Sequence, residues 1–122
     1  MTRINIVPPS ELTVKHLVAE YREITRLPKN LKKSLNRKTP FLLSEIPFSY
    51  TLGTGHVKFF YNKMKFLEKR FEDLVEEMLS RGYNPNYRDS SIFKNCDDIF
   101  YNDYTPTPEA LEINRQRIKE RL

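Results

Sequence analysis

The chain has 122 residues, 39% of them apolar and 30% charged, which bounds it to one domain (1–122) with a modest core that needs neither a disulfide nor a structural metal. Its single cysteine excludes an internal disulfide, its two histidines are too few to suggest a zinc site, and its three glycines exclude the dinucleotide fingerprint and the phosphate-cradling loop. Every apolar run is broken by charge too soon to span a bilayer or form a signal peptide, so a cytoplasmic protein is expected, and a net charge of +5 favours a polyanionic partner.

In chain order, residues 1–9 read as an extended arm closed by Pro8-Pro9. Ser10 is the expected N-cap of a first helix, with Glu11 in its first turn, running to about Leu27 before Pro28. At about 100° per residue, Val14, Leu17, Val18, Tyr21 and Ile24 form its apolar stripe. A second face carries Lys15, His16, Ala19, Arg22, Glu23 and Arg26, so one carboxylate stands among several cations, with small Ala19 leaving a gap between them. Residues 29–38, with Lys29, Lys32, Lys33, Arg37 and Lys38, read as a short helix or turn with a positive skin, either solvated or touching phosphate.

Pro40, Pro47, Gly53 and Gly55 mark 39–55 as a packed irregular connector. From His56 to Arg81 the spacing of Val57, Phe60, Met64, Leu67, Phe71, Leu74 and Met78 predicts one long core helix, ended by Gly82 as its C-terminal cap. Residues 83–106 predict a long surface loop holding Cys96, read as an inert residue. A last helix opens at Thr107-Pro108-Glu109, with Leu111, Ile118 and Leu122 on its packed side and Asn114, Arg117 and Arg121 on another. The sum is an all-α fold: three main helices, a long irregular loop and an extended N-terminal arm.

The chain start carries its own chemistry. A small second residue favours removal of Met1, which exposes the α-amine of Thr2. Near neutral pH roughly 10–20% of such an amine is free base, against about 0.04% of an ordinary lysine. With the arm folded back over the first helix, that amine approaches Glu23, with Arg3, Arg22, Arg26 and Arg117 around it. An amine beside a carboxylate in cationic surroundings suits attack on an anomeric carbon in DNA, followed by an imine and β-elimination, with no metal and no cofactor. On its own, a glutamate among arginines is also the pattern of a surface ion-pair network.

A resemblance bears on that choice. Met1-Thr2-Arg3-Ile4-Asn5, Ser10-Glu11-Leu12, His16-Leu17, Ala19-Glu20-Tyr21-Arg22-Glu23 with Arg26, and Leu52-Gly53 with Gly55-His56-Val57 resemble the phage endonuclease V family of pyrimidine dimer DNA glycosylases. The likeness continues through Phe59-Phe60-Tyr61, Lys63, Lys69-Arg70, Arg81-Gly82, Asp103-Tyr104 and Arg117. It implies an all-α DNA-repair glycosylase with lyase activity, acting on double-stranded DNA in a bacterial or phage-infected cell. Thr2 is then the nucleophile, Glu23 the essential carboxylate, and Arg3, His16, Arg22, Arg26 and Arg117 the DNA-facing set, with Arg121 standing where the family has a lysine. The family's aromatic C-terminal segment has no counterpart here, which leaves the preferred base open and implies weaker binding, a different damaged or modified base, or compensation by Tyr83, Tyr87 or Tyr101. Alternatives are a glycosylase for another modified base and a non-catalytic DNA-binding protein. A monomer is expected, since no apolar helix face is left over.

Overall fold

The computed structural model describes residues 4–122, and among them every regular element is helical. Five α-helices carry the fold: α1 (Val14–Ile24), α2 (Arg26–Leu35), α3 (His56–Phe59), α4 (Met64–Ser80) and α5 (Pro108–Glu120). The 17-residue α4 is the central strut. α1 and the 3-10 turn Ser91–Lys94 both pack on it, and Leu17, Ile24, Met64, Leu67, Phe71, Leu74 and Phe93 are sealed between them.

The first helix starts later and breaks earlier than its pattern predicts. Pro9–Glu11 form a 3-10 turn, Leu12 (φ −86°, ψ 142°) swings out of helical geometry to bury its side chain, and Thr13 is the cap, accepting from the His16 N–H at 3.3 Å. The expected apolar stripe holds at Leu17 and Ile24 but fails at Val14, which is exposed. Pro28 explains the break at Thr25. In a continuous helix its ring would meet the carbonyl four residues back, that of Ile24, where α1 stops. In α2 the same proline lies in the first turn, where a missing N–H costs nothing, and Leu27 and Leu31 join the core.

The predicted helix over 56–81 is likewise two helices. Phe59, Phe60 and Tyr61 are consecutive and all buried, which no single helix face can achieve at about 100° per residue. A tight turn at 60–63 turns all three inward, with the Lys63 N–H bonded to the Phe60 carbonyl at 2.9 Å. The Lys63 ammonium caps α3 by donating to the Phe59 carbonyl at 2.8 Å and lies 3.9 Å over the Phe59 ring. Gly82 does end α4. At φ +89° it permits a Schellman closure, with the Tyr83 N–H on the Met78 carbonyl at 2.9 Å and the Gly82 N–H on the Leu79 carbonyl at 3.0 Å.

Residues 83–106 are more than a surface loop. Two 3-10 turns there bury Phe93 and Phe100. Thr107 caps α5 as predicted, accepting from the Ala110 N–H at 3.1 Å. α5 docks differently from expectation, however: Ala110 and Asn114 are buried, Leu111 and Ile118 are half-buried, and Leu122 is solvent-exposed. Asn114, expected on the side shared by Arg117 and Arg121, lies in the core, where the arm supplies partners for its amide.

Candidate active site

The N-terminal arm is held by side chains from most of the fold. The Ile4 N–H donates to His56 Nε2 at 2.8 Å. His56 Nδ1 lies 2.9 Å from the Thr51 carbonyl, which can only accept, so the ring is the neutral Nδ1–H tautomer with Nε2 as acceptor. One step along, the single oxygen of Asn114 accepts from both the Ile6 and Val7 N–H groups, at 2.7 and 3.1 Å. Its amide donates to Asn5 Oδ1 at 2.9 Å, and the Asn5 amide donates to Glu20 at 2.9 Å. Glu20 is clamped by Arg70 through Nε at 2.8 Å and a second N–H at 3.0 Å, and Arg70 also donates to the Val7 carbonyl.

Asn5, Glu20, Arg70 and Asn114 are all nearly or wholly buried. Buried charge and amide groups of this kind are tolerable only when each is partnered. The network meets that condition and, in doing so, specifies where the arm enters the molecule.

The arm enters at a cleft of about 410 Å³. Asn5 of the arm, Lys15, His16, Ala19, Glu20 and Glu23 of α1, Arg117 of α5 and Arg121 just beyond it line the cleft. The fold thus brings together four of the predicted site residues, His16, Glu23, Arg117 and Arg121, from helices almost a hundred residues apart in sequence. Ala19, the small residue of this face, is among the lining residues. Arg22 on α1 and Arg26 on α2 are exposed and do not line it. Thr2 and Arg3 lie outside the described residues.

Among the described residues, Arg22, Arg26 and Arg121 have no carboxylate within 4.0 Å, whereas Arg117 makes a 3.4 Å contact with Glu120 one turn on. Within the cleft wall, His16 Nδ1 and Arg117 Nε are buried without a hydrogen-bond partner among the described residues. Such atoms are costly unless something else completes them. Phosphate oxygens would satisfy Arg117 at once.

Sequence reasoning missed the clamp. Glu20 did carry a signal, because it falls between Leu17 and Ile24 on the buried stripe of α1, where an unpaired carboxylate would be prohibitive. Asn5, Arg70 and Asn114 carried none, since their partners are remote in sequence.

A small all-α body with a cationic cleft, one half-buried carboxylate in it and Asn5 of the N-terminal arm in its lining has the layout of an enzyme acting on nucleic acid. The chain belongs to the pyrimidine dimer DNA glycosylase family, whose model matches residues 1–91. It is a DNA-repair glycosylase, and DNA is its substrate. Among the described residues no helix is long and apolar enough to cross a membrane.

Proposed function

We propose that the protein is a pyrimidine dimer DNA glycosylase with associated lyase activity, in which the α-amine of Thr2, freed by removal of Met1, is the nucleophile and Glu23 its proton partner. One observation carries the reading: the arm is clamped at Ile4–Val7, and Asn5 and Glu23 line the same cleft. Thr2 precedes the anchored Ile4 by two residues, and two residues of chain reach at most about 7 Å.

In the first step the amine nitrogen attacks the sugar C1′, the glycosidic bond breaks and the base leaves with the bond electrons, taking a proton from solvent. Glu23 takes the amine proton and passes it to O4′ as the sugar ring opens, which gives an iminium joined to the chain terminus. Returned to its carboxylate form by that transfer, Glu23 stabilises the cation. Removal of a C2′ proton then expels the 3′ phosphate by β-elimination, and hydrolysis of the imine restores the amine. Arg117 and Arg121, with Arg3, Arg22, Arg26 and His16, hold the phosphates on either side. All these groups come from one chain, so a monomer suffices.

Borohydride trapping tests this. The expected result is a covalent adduct with dimer-containing or abasic duplex that disappears when the N-terminus is blocked. Lys15→Ala and Lys33→Ala should leave it intact, and so should Lys63→Ala, the necessary control, because burial lowers the Lys63 amine to about 8, close to the range of an α-amine. An adduct that survives N-terminal blocking would overturn the assignment of Thr2.

A further inference from the structure

The connector between α2 and α3 carries three large apolar side chains turned to solvent: Leu42, Leu43 and Phe48, the last fully exposed (103%). Their backbone is anchored on both sides. Upstream, Phe41 is buried and its N–H donates to the Ser34 carbonyl at 2.9 Å, which ties the connector to the last turn of α2. Glu45 closes the next turn by accepting from the Leu42 N–H at 2.9 Å and pairs with Lys58 at 3.2 Å. Downstream, Pro47 packs so closely on Gly55 that a Cβ there would come within 2.9 Å of it. Tyr50 is buried against the rings of His56, Phe59 and Phe60. Phe48 therefore stands out from a fixed crest.

Positive charge flanks this crest on one side and the cleft on the other. On α2, Arg26, Lys29, Lys32 and Lys33 share the face opposite Leu27 and Leu31, Arg37 and Lys38 follow, and no acidic residue occurs from Arg26 to Ser44. Toward the cleft, the Tyr50 hydroxyl lies 3.5 Å from the Ile4 carbonyl, Thr51 holds the His56 ring that holds Ile4, and Leu52 shares a groove with Arg117. Phe48 is two residues from Tyr50, at most about 7 Å of chain.

We propose that Phe48, supported by Leu42 and Leu43, is a wedge that stacks on the bases of the duplex beside the lesion while α2 and the cleft cations hold its backbone. This rests on the reading of the cleft as a DNA glycosylase site. An enzyme that acts on a base inside a duplex must unstack it, and apolar side chains set between base steps do this while bending the helix. An aromatic face stacks on any base, which suits a position that need not read sequence. Charge selects the occupant: an apolar crest bordered by cations fits the stacked interior of a polyanion better than the apolar groove of another protein.

The chain contains no tryptophan, so Phe48→Trp introduces a single reporter at a position where folding does not depend on the side chain. Its emission should be quenched by a duplex with one abasic site, with affinity equal to wild type. Phe48→Ala should bind that duplex roughly ten-fold more weakly with an unchanged salt slope. A 2-aminopurine beside the lesion should brighten with wild type and not with Phe48→Ala. Unchanged emission at saturating DNA, or wild-type affinity in Phe48→Ala, would overturn the wedge. An emission change that follows protein concentration without DNA would overturn it in favour of self-association. Trapping by the wild-type protein on the same duplex separates the two readings: if wild type forms the adduct and the Phe48 variants match it in binding and fluorescence, only the wedge falls.

Discussion

Glu23 is the residue on which proposed chemistry and visible geometry meet most closely. It sits in the cleft wall one turn beyond the buried Glu20, so two carboxylates of one helix divide the work: Glu20 belongs to the Arg70 clamp and Glu23 faces the open volume. Glu23→Gln keeps the shape and removes the proton acceptor. Its incision rate should fall at least about 100-fold while affinity for abasic duplex changes little. Incision at the wild-type rate would remove Glu23 from the mechanism.

Lys63 makes a second residue-scale case. Burial lowers its amine to about 8, with the Phe59 ring and carbonyl beside it. Because its folded value lies below the unfolded one of 10.5, protonation disfavours the folded state, and its contribution to stability rises as pH climbs from about 8 toward 10.5. Followed by NMR at its side-chain nitrogen, Lys63 should titrate at about 8. A titration at the ordinary lysine value of 10.5 would contradict the shift.

Among the elements, α2 best separates what pattern shows from what packing shows. Its lysines were legible as a positive skin, and the buried Leu27 and Leu31 on the opposite side turn that skin into a single solvent-facing stripe. Each phosphate contact on duplex DNA contributes about 0.9 to the log–log salt slope. Replacing Lys29, Lys32 and Lys33 together by alanine should therefore lower the slope by about 2 to 3 without changing the rate of the trapped step at saturating DNA. A slope identical to wild type would make the stripe a merely solvated face. The other helices show why boundaries eluded pattern reading. The period of apolar residues persists from 56 to 81, but three successive aromatics demanding burial force a turn at 60–63 that periodicity does not register.

On the scale of the whole molecule, the arm and α5 are held together across more than a hundred residues by one amide. Asn114→Ala would leave the Ile6 and Val7 N–H groups and the Asn5 side-chain Oδ1 without their partner in the core. The expected cost is about 3 kcal/mol in urea unfolding, with incision reduced more than DNA affinity because the chain start is released. Arg70→Met should cost about 3–5 kcal/mol, since it strands a buried carboxylate, and the double variant Glu20→Gln/Arg70→Met should recover part of that loss. A double variant no more stable than Arg70→Met would show that the pair does not act as a unit.

Composition, spacing and residue resemblance were enough to reach an all-α fold, the caps at Thr107 and Gly82 and the family, and to group His16, Glu23, Arg117 and Arg121, which line one cleft. Those conclusions depend on local preferences or on residue identities in order, both of which are written along the chain. The clamp on the arm, the split of both long helices, the buried place of Asn114 and the exposed crest at Phe48 came only with the tertiary structure. Each is decided by which distant groups share a limited interior, and a polar side chain becomes a core residue only when the fold supplies all of its partners at once.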